Sequence, residues 1–299
     1  MRLGYYPGCS LHASSREFDE SLRAVAGTLD TELVEIDDWN CCGATSAHAT
    51  NHLLSVALPA RNLALAEGQG HTGVLAPCAA CYNRLASARH EISQDAALAA
   101  RMPDLLGRPF DNQVKVLNVV EVLRDLAPAI REKTTQPLKN LKLACYYGCL
   151  LVRPAAVTHF DDPENPRSME DVVASTGATP VKWEQRLDCC GGAFSLSRTG
   201  SVIRLGRAIL AGARAAGADA LVVACPMCHS NLDLRQKGIL KKDPSTPPLP
   251  ILFITQVVGM ALGIAPRTLG MNRHFVDTAS VIGRMRALPA APQAAGEGV

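Results

Sequence analysis

At 299 residues the chain is long enough for about two domains, each with its own core. A formal charge of +2, with no basic stripe interleaved with aromatics, argues against a nucleic-acid partner. Eleven cysteines in so long a chain, behind a start (Met1-Arg2-Leu3-Gly4-Tyr5-Tyr6-Pro7) with no apolar signal region, exclude a disulfide scaffold and point to reduced thiols in the cytoplasm.

Arg2–Tyr6 reads as a short buried strand ending at Pro7-Gly8, a turn that presents Cys9. Ser14–Leu29 carries Phe18, Leu22, Val25 and Leu29 at helical spacing. Glu32–Ile36 alternates like a strand and delivers the chain to Asn40-Cys41-Cys42-Gly43. Leu53–Ala66 is a second helix, stopping near Gly68-Gln69-Gly70. Gly73–Ala76 is a buried strand ending at Pro77-Cys78, and Cys81 opens the next helix. Val114–Leu117 is another strand, after which Asn118 caps a helix with Glu121 three residues on.

A linker at Lys133–Asn140 separates the halves, and the order then recurs. Leu141–Tyr146 is a strand into Gly148-Cys149, Met169–Ser175 is helical, and Pro180–Trp183 leads to Asp188-Cys189-Cys190-Gly191-Gly192. Val202–Ala216 is a helix, Leu221–Ala224 a strand into Cys225, and Ile251–Ile254 a strand into a helix from about Thr255. The apolar run Ile251–Ile264 is shorter than the ~20 residues of a membrane span, so none is expected. Strands alternating with helices imply two domains, 1–136 and 137–287, each a small, mainly parallel sheet with flanking helices, followed by a disordered tail at 288–299.

Ten of the eleven cysteines fall into two matched sets of five: Cys9, Cys41, Cys42, Cys78 and Cys81, then Cys149, Cys189, Cys190, Cys225 and Cys228. Cys41 and Cys189 are 148 positions apart, and Cys81 and Cys228 are 147 apart. Thiolates select zinc, copper(I) or iron–sulfur clusters. A structural zinc site needs four ligands, so five per set overshoots it. The side chains of adjacent cysteines diverge and reach two metal atoms more naturally than one, which favours a multi-iron cluster of unusual shape. Glycines after each pair leave backbone N–H groups free to approach sulfide. Helix N-termini after Cys78 and Cys225 favour an anionic cluster.

A thioredoxin-like pair at Cys78/Cys81 does not account for the repeated Cys-Cys-Gly. Cys225-Pro226-Met227-Cys228-His229 matches a haem c attachment run, but that requires export, and Tyr82 stands where His229 does in the first copy. Cys145 has no counterpart before Cys9 and reads as a strand-end thiol. His12, His48, His52, His159 and His229 lie near the cysteine elements and read as supporting or surface groups.

The two motifs, Cys9…Cys41-Cys42-Gly43…Cys78-x-x-Cys81 and Cys149…Cys189-Cys190-Gly191…Cys225-x-x-Cys228, resemble the paired CCG domains of the HdrB family, the CCG-domain component of heterodisulfide reductase. Asp38-Trp39-Asn40, Tyr147-Gly148-Cys149-Leu150-Leu151 and Asp162-Pro163-Glu164-Asn165-Pro166 extend the resemblance beyond the cysteines. It implies an α/β fold of two pseudo-twofold-related domains, with each five-cysteine set holding a non-cubane [4Fe–4S] cluster and Cys145 outside both. It also implies partners: a ferredoxin-like iron–sulfur subunit, a flavin-bearing subunit, and a thiol/disulfide substrate or sulfur-carrier protein. Two clusters facing one cleft fit a two-electron disulfide reaction. The sequence reading favours bacterial sulfur oxidation. Alternatives are the methanogen CoM–CoB heterodisulfide reaction and a non-catalytic electron-transfer role beside a thiol:fumarate reductase or a glycolate/lactate oxidase.

Overall fold

A computed structural model describes residues 1–44, 47–242 and 245–286. It contains two four-stranded sheets, parallel throughout and flanked by helices. The first is built from β1 (Arg2–Tyr5), β2 (Glu32–Glu35), β3 (Gly73–Leu75) and β4 (Lys115–Leu117), in the order β2-β1-β3-β4. The second repeats that order with β5 (Lys142–Tyr146), β6 (Thr179–Pro180), β7 (Ala220–Val223) and β8 (Ile251–Phe253) as β6-β5-β7-β8. Strands covered on both faces are near-continuous apolar runs. Every residue of β7 and β8 is buried.

This strand order has a topological switch between β1 and β3, and again between β5 and β7. In open α/β sheets ligands settle at the carboxyl ends of the strands flanking such a switch. Cys9 follows β1 and Cys78 follows β3; Cys149 follows β5 and Cys225 follows β7. The topology therefore delivers both cysteine sets to matching crevices.

Helix Arg16–Thr28 buries the expected stripe of Phe18, Leu22 and Val25, with Glu17 and Asp19 in its first turn, where the helix dipole favours negative charge. Asn118 caps helix Val119–Asp125 as read from the sequence, its side chain accepting from Glu121 N at 2.9 Å. Cys9 sits inside a short helix, Gly8–His12, rather than in an open turn. Helix Ala79–Gln94 begins two residues earlier than expected, with Cys78 as its N-cap.

The halves interlock. Phe18 stacks on Phe253 with ring centroids 4.2 Å apart, and the hydroxyls of Ser21 and Thr255 meet at 2.6 Å beneath them. Across the seam Tyr82 donates its hydroxyl hydrogen to Thr158 O, and the Asn83 amide donates to Leu150 O and Arg153 O. The segment expected to be a separating linker is itself pinned, since Thr135 N and Gln136 N both donate to Ala261 O at 3.0 and 2.9 Å. The expected tail lies outside the described residues. Among these, no helix is long and apolar enough to cross a membrane.

Candidate thiol-lined site

All ten paired cysteines line one cavity of about 350 Å³ between the two sheets' carboxyl ends. The two matched sets thus open on the single cleft that a shared disulfide reaction calls for. The Cys78 and Cys225 thiols are in hydrogen-bonding contact across the halves, so the two CxxC turns form the cavity floor together. Within the sets, Cys42 and Cys81 lie 3.3 Å apart, Cys190 and Cys228 3.4 Å, and Cys149 and Cys189 3.8 Å. These separations far exceed the ~2.05 Å of a disulfide bond. All eleven cysteines are free.

Each Cys-Cys pair splits its directions as expected: Cys41 and Cys189 are exposed, whereas Cys42 and Cys190 are buried. The glycine that follows donates its N–H to the exposed sulfur, Gly43 to Cys41 at 3.5 Å and Gly191 to Cys189 at 3.3 Å. The turn before the first cysteine of each set is equally specific. Gly8 and Gly148 have φ of +65° and +67°, and an added Cβ would stand 3.1 Å from Cys81 Sγ or 3.2 Å from Cys228 Sγ. A side chain there would meet both backbone strain and a cysteine sulfur.

One tyrosine clamps each Cys-Cys turn. The Tyr6 hydroxyl donates to Asn40 O at 2.8 Å, and the Tyr146 hydroxyl to Asp188 O, in each case the carbonyl just before the pair. In the first half Asn62 adds a second clamp, its side chain accepting from Asn40 N and donating to Asn40 O. In the second half the Asp161–Pro166 insertion takes that place. Asp162 folds it by accepting from Glu164 N and Asn165 N, and the Asn165 side chain accepts from Arg186. The Arg186 carbonyl in turn accepts from Tyr147 N and Gly148 N, which fixes the turn carrying Cys149.

Ten thiols so crowded cannot all ionise. Hydrogen bonds from Cys41 and Cys81 hold the Cys42 thiol far below its usual range, at about 3, and the bond from Cys149 lowers Cys189 to about 6. Their partners move the other way: Cys81 and Cys149 are pushed well up by the bond to a neighbouring thiolate and by burial. An all-sulfur donor set of this density asks for soft cations, and at five sulfurs per set it fits an iron–sulfur group better than four-coordinate zinc.

Cys145 is buried in β5, outside the cavity, and its carbonyl accepts from Trp183 Nε1 at 2.9 Å. Burial raises its thiol well above the usual value. None of the described histidines lines the cavity. His12 and His52 meet Glu35 and Glu91 at the surface, His159 lies by the seam, and the His48 side chain falls outside the described residues.

The His229 ring stacks on Phe253, 4.3 Å away, and its Nε2 faces His274 Nδ1 at 3.1 Å. Gln256 donates to His274 Nε2 at 2.8 Å, so the hydrogen on His274 is at Nδ1 and is given to His229. Asp233 nearby accepts from Phe275 N and Val276 N. Burial pushes His229 well below its usual value, lowers His274 to about 4 and raises Asp233 to about 6. His229, Asp233 and His274 are close enough to hold a metal ion, with ligand atoms within 4.8 Å of one another, yet the two imidazoles already bond each other and both Asp233 oxygens are taken by backbone N–H groups.

The sequence reading missed Arg84. Among the described residues it is the only charged side chain on the cavity wall, one helical turn after Cys81. That i, i+3 spacing was the available signal. Its positional equivalent in the second copy is Asn231, which instead donates to Cys190 O at 3.1 Å.

The cysteine-rich domain known as CCG matches residues 3–86 and 143–233. The 8-methylmenaquinol:fumarate reductase membrane anchor subunit of Wolinella succinogenes is 34% identical over 276 residues, spanning 91% of this chain and 96% of that protein. The HdrB component of the ferredoxin/F420H2-dependent CoB–CoM heterodisulfide reductase of Methanosarcina acetivorans is 27% identical over 292 residues, or 95% of this chain and 97% of that one. Among solved structures, a hypothetical protein from Helicobacter pylori superposes with a TM-score of 0.72 at 11% identity, covering 93% of this chain but 52% of the other. That likeness speaks for the fold alone.

Proposed function

The chain belongs to the CCG family of cysteine-rich domain proteins, and from that premise we propose that it is an iron–sulfur subunit of an oxidoreductase complex working on thiols and disulfides. In this reading Cys9, Cys41, Cys42, Cys78 and Cys81 hold one non-cubane [4Fe–4S] cluster, and Cys149, Cys189, Cys190, Cys225 and Cys228 hold the other. The observation that carries it is the convergence of all ten sulfurs on one cavity. Bound clusters supply electrons one at a time, and cleaving a disulfide takes two.

The chain's own residues prepare the place. Tyr6 and Tyr146 fix the Cys-Cys turns, Gly43 and Gly191 hydrogen-bond the exposed sulfurs, and Leu150 and Met227 give the cavity an apolar wall. Arg84 is placed to attract an anionic substituent on the thiol compound. The substrate that the family resemblance implies is a disulfide, or sulfane sulfur carried by a small thiol or a carrier protein, in sulfur oxidation. The two curated relatives support disulfide or fumarate-linked electron transfer, and neither is named for sulfur oxidation.

Protein prepared without oxygen should reduce a disulfide with reduced viologen as electron donor, and its EPR signal after mild oxidation should change when thiol is added. A thiol-insensitive signal with no turnover would favour a second reading, electron transfer beside a fumarate reductase, which the Wolinella relative supports. Arg84→Met should raise KM about tenfold for a carboxylated disulfide and leave a neutral one unchanged. Equal effects on both would remove Arg84 from substrate recognition.

A further inference from the structure

A second cavity, also of about 350 Å³, shares no lining residue with the thiol-lined one. Helix Ala79–Gln94 serves both. Cys81 and Arg84 line the thiol cavity, while Tyr82, Ala86, Arg89, His90 and Ser93, at helical spacing, line the second. β4 and Glu121 of the following helix add to its wall, and Thr158, His159 and Phe160 of the other half complete it. The pocket thus sits on the seam that the Tyr82 hydroxyl bridges by donating to Thr158 O at 3.0 Å.

Its charge is lopsided. Arg89, His90, Lys115 and His159 line it against one carboxyl, Glu121. Burial raises the Glu121 carboxyl above its usual range, so it opposes an anion less than an exposed carboxylate would. Among the described residues none of the four bases is hydrogen-bonded to a carboxylate, and Arg89 Nε is buried with no partner at all. A buried donor without an acceptor is costly, and a bound acceptor would satisfy it. The backbone adds another donor. β4 is the last strand of its sheet, and Lys115 N donates to Thr72 O while Leu117 O accepts from Ala76 N, both towards β3. Val116 between them therefore turns its N–H to the open edge, on the pocket wall. Tyr82 and Phe160 meet edge to face, ring centroids 6.4 Å apart, and with Ala86 and Leu117 give the pocket an apolar side.

A concave space of this size suits a small molecule, and unpartnered cationic donors beside an apolar side suit an anion with a compact carbon body. We propose that the second cavity binds a small organic anion, its phosphate or carboxylate group held by Arg89, Lys115 and the Val116 N–H and its body packed against Tyr82 and Phe160. Inorganic anions lack the body and neutral ring compounds lack the charge, so both bind more weakly. The occupant touches both halves at once and braces the seam beside Cys81. The site requires neither iron nor the thiol chemistry proposed above.

The test is calorimetry on the anaerobically prepared protein with phenyl phosphate and benzoate as probes. Phenol and inorganic phosphate serve as counterparts lacking the charge or the body. At least one of the two organic anions should bind once per chain with a Kd of about 1 mM or tighter, and the tighter of them identifies the anionic group. Phenol and inorganic phosphate should bind about tenfold more weakly. Arg89→Met should raise Kd about tenfold, and Lys115→Met about threefold or more. Lys115 is exposed, so its variant keeps the fold. Arg84→Met, in the thiol cavity, should leave the affinity unchanged. The proposal is overturned by no saturation with either organic anion below about 10 mM, or by phenol or inorganic phosphate binding as tightly. Wild-type affinity in both R89M and K115M, or a loss in R84M alone, would overturn it equally. None of these readings depends on iron content, so this site and the functional reading stand or fail separately.

Discussion

In the first half a tyrosine and an asparagine, Tyr6 and Asn62, grip the Asn40 peptide ahead of Cys41. In the second half Tyr146 grips the Asp188 carbonyl, Asp188 N donates to Gln185 O at 3.2 Å, and further support comes from Arg186 and the inserted Asp161–Pro166 loop. Two copies of one device therefore place their sulfurs alike while using different braces. The shared part is the frame that aims the thiols: a strand end, a glycine with positive φ pressed against a cysteine sulfur, and a Cys-Cys turn. What differs lies outside that frame, as in Arg84 on the wall against Asn231. The two copies are alike where they aim their thiols and differ around them.

The most drastic way to break that comparison is to remove one set. Cys42→Ala and Cys190→Ala should each halve the iron content and abolish disulfide turnover, because a two-electron reaction shared by two sets fails with either. Turnover retained at half the iron would show that one set acts alone. The seam between the copies comes next. Phe253→Ala removes the ring sandwiched by Phe18 and His229, and should lower stability by about 3–5 kcal/mol in chemical denaturation. A loss below about 1 kcal/mol would mean that the halves stand independently.

Smaller changes sharpen the comparison. Gly8→Ala and Gly148→Ala should each destabilise by about 1–3 kcal/mol and lower iron occupancy only in their own half, since positive φ and the nearby sulfur oppose a methyl group. Equal loss from both halves would argue for a single cooperative site. The tyrosine clamps should differ least. Tyr146→Phe leaves the Asp188 carbonyl without its donor and should cost about 1–3 kcal/mol, whereas Tyr6→Phe should cost less, because Asn62 still donates to Asn40 O.

Much of this was readable from the sequence, for identifiable reasons. Parallel strands buried on both faces announce themselves as short apolar runs before a turn, so β1, β3, β5, β7 and β8 lie within a residue or two of their expected positions. Repetition of the cysteine pattern made the two copies plain. Helix Ala96–Leu106 went unread because its alanines carry little apolar period and Pro103 interrupts the pattern, although Asp95 caps it by accepting from Ala97 N and Leu98 N. The stretch 265–286 was also unread, since its elements are short. It is held by tertiary contacts such as Arg273 with Glu20 at 2.7 Å, which no local pattern encodes. The shared cavity was expected from the chemistry of a two-electron reaction and the tandem repeat, while the contacts that create it carry no sequence signal. They pack one half on the other, through Phe18, Tyr82 and Asn83.

The central claim, two equivalent five-thiol sets each loaded with an iron–sulfur cluster, is tested most directly by counting. Iron and acid-labile sulfide should be determined per chain for anaerobically purified wild type, Cys42→Ala and Cys190→Ala. The account predicts about eight irons with matching sulfide in the wild type and about four in each variant, from two four-iron clusters. Stoichiometric zinc without sulfide, or four irons in the wild type that vanish in only one variant, would contradict it.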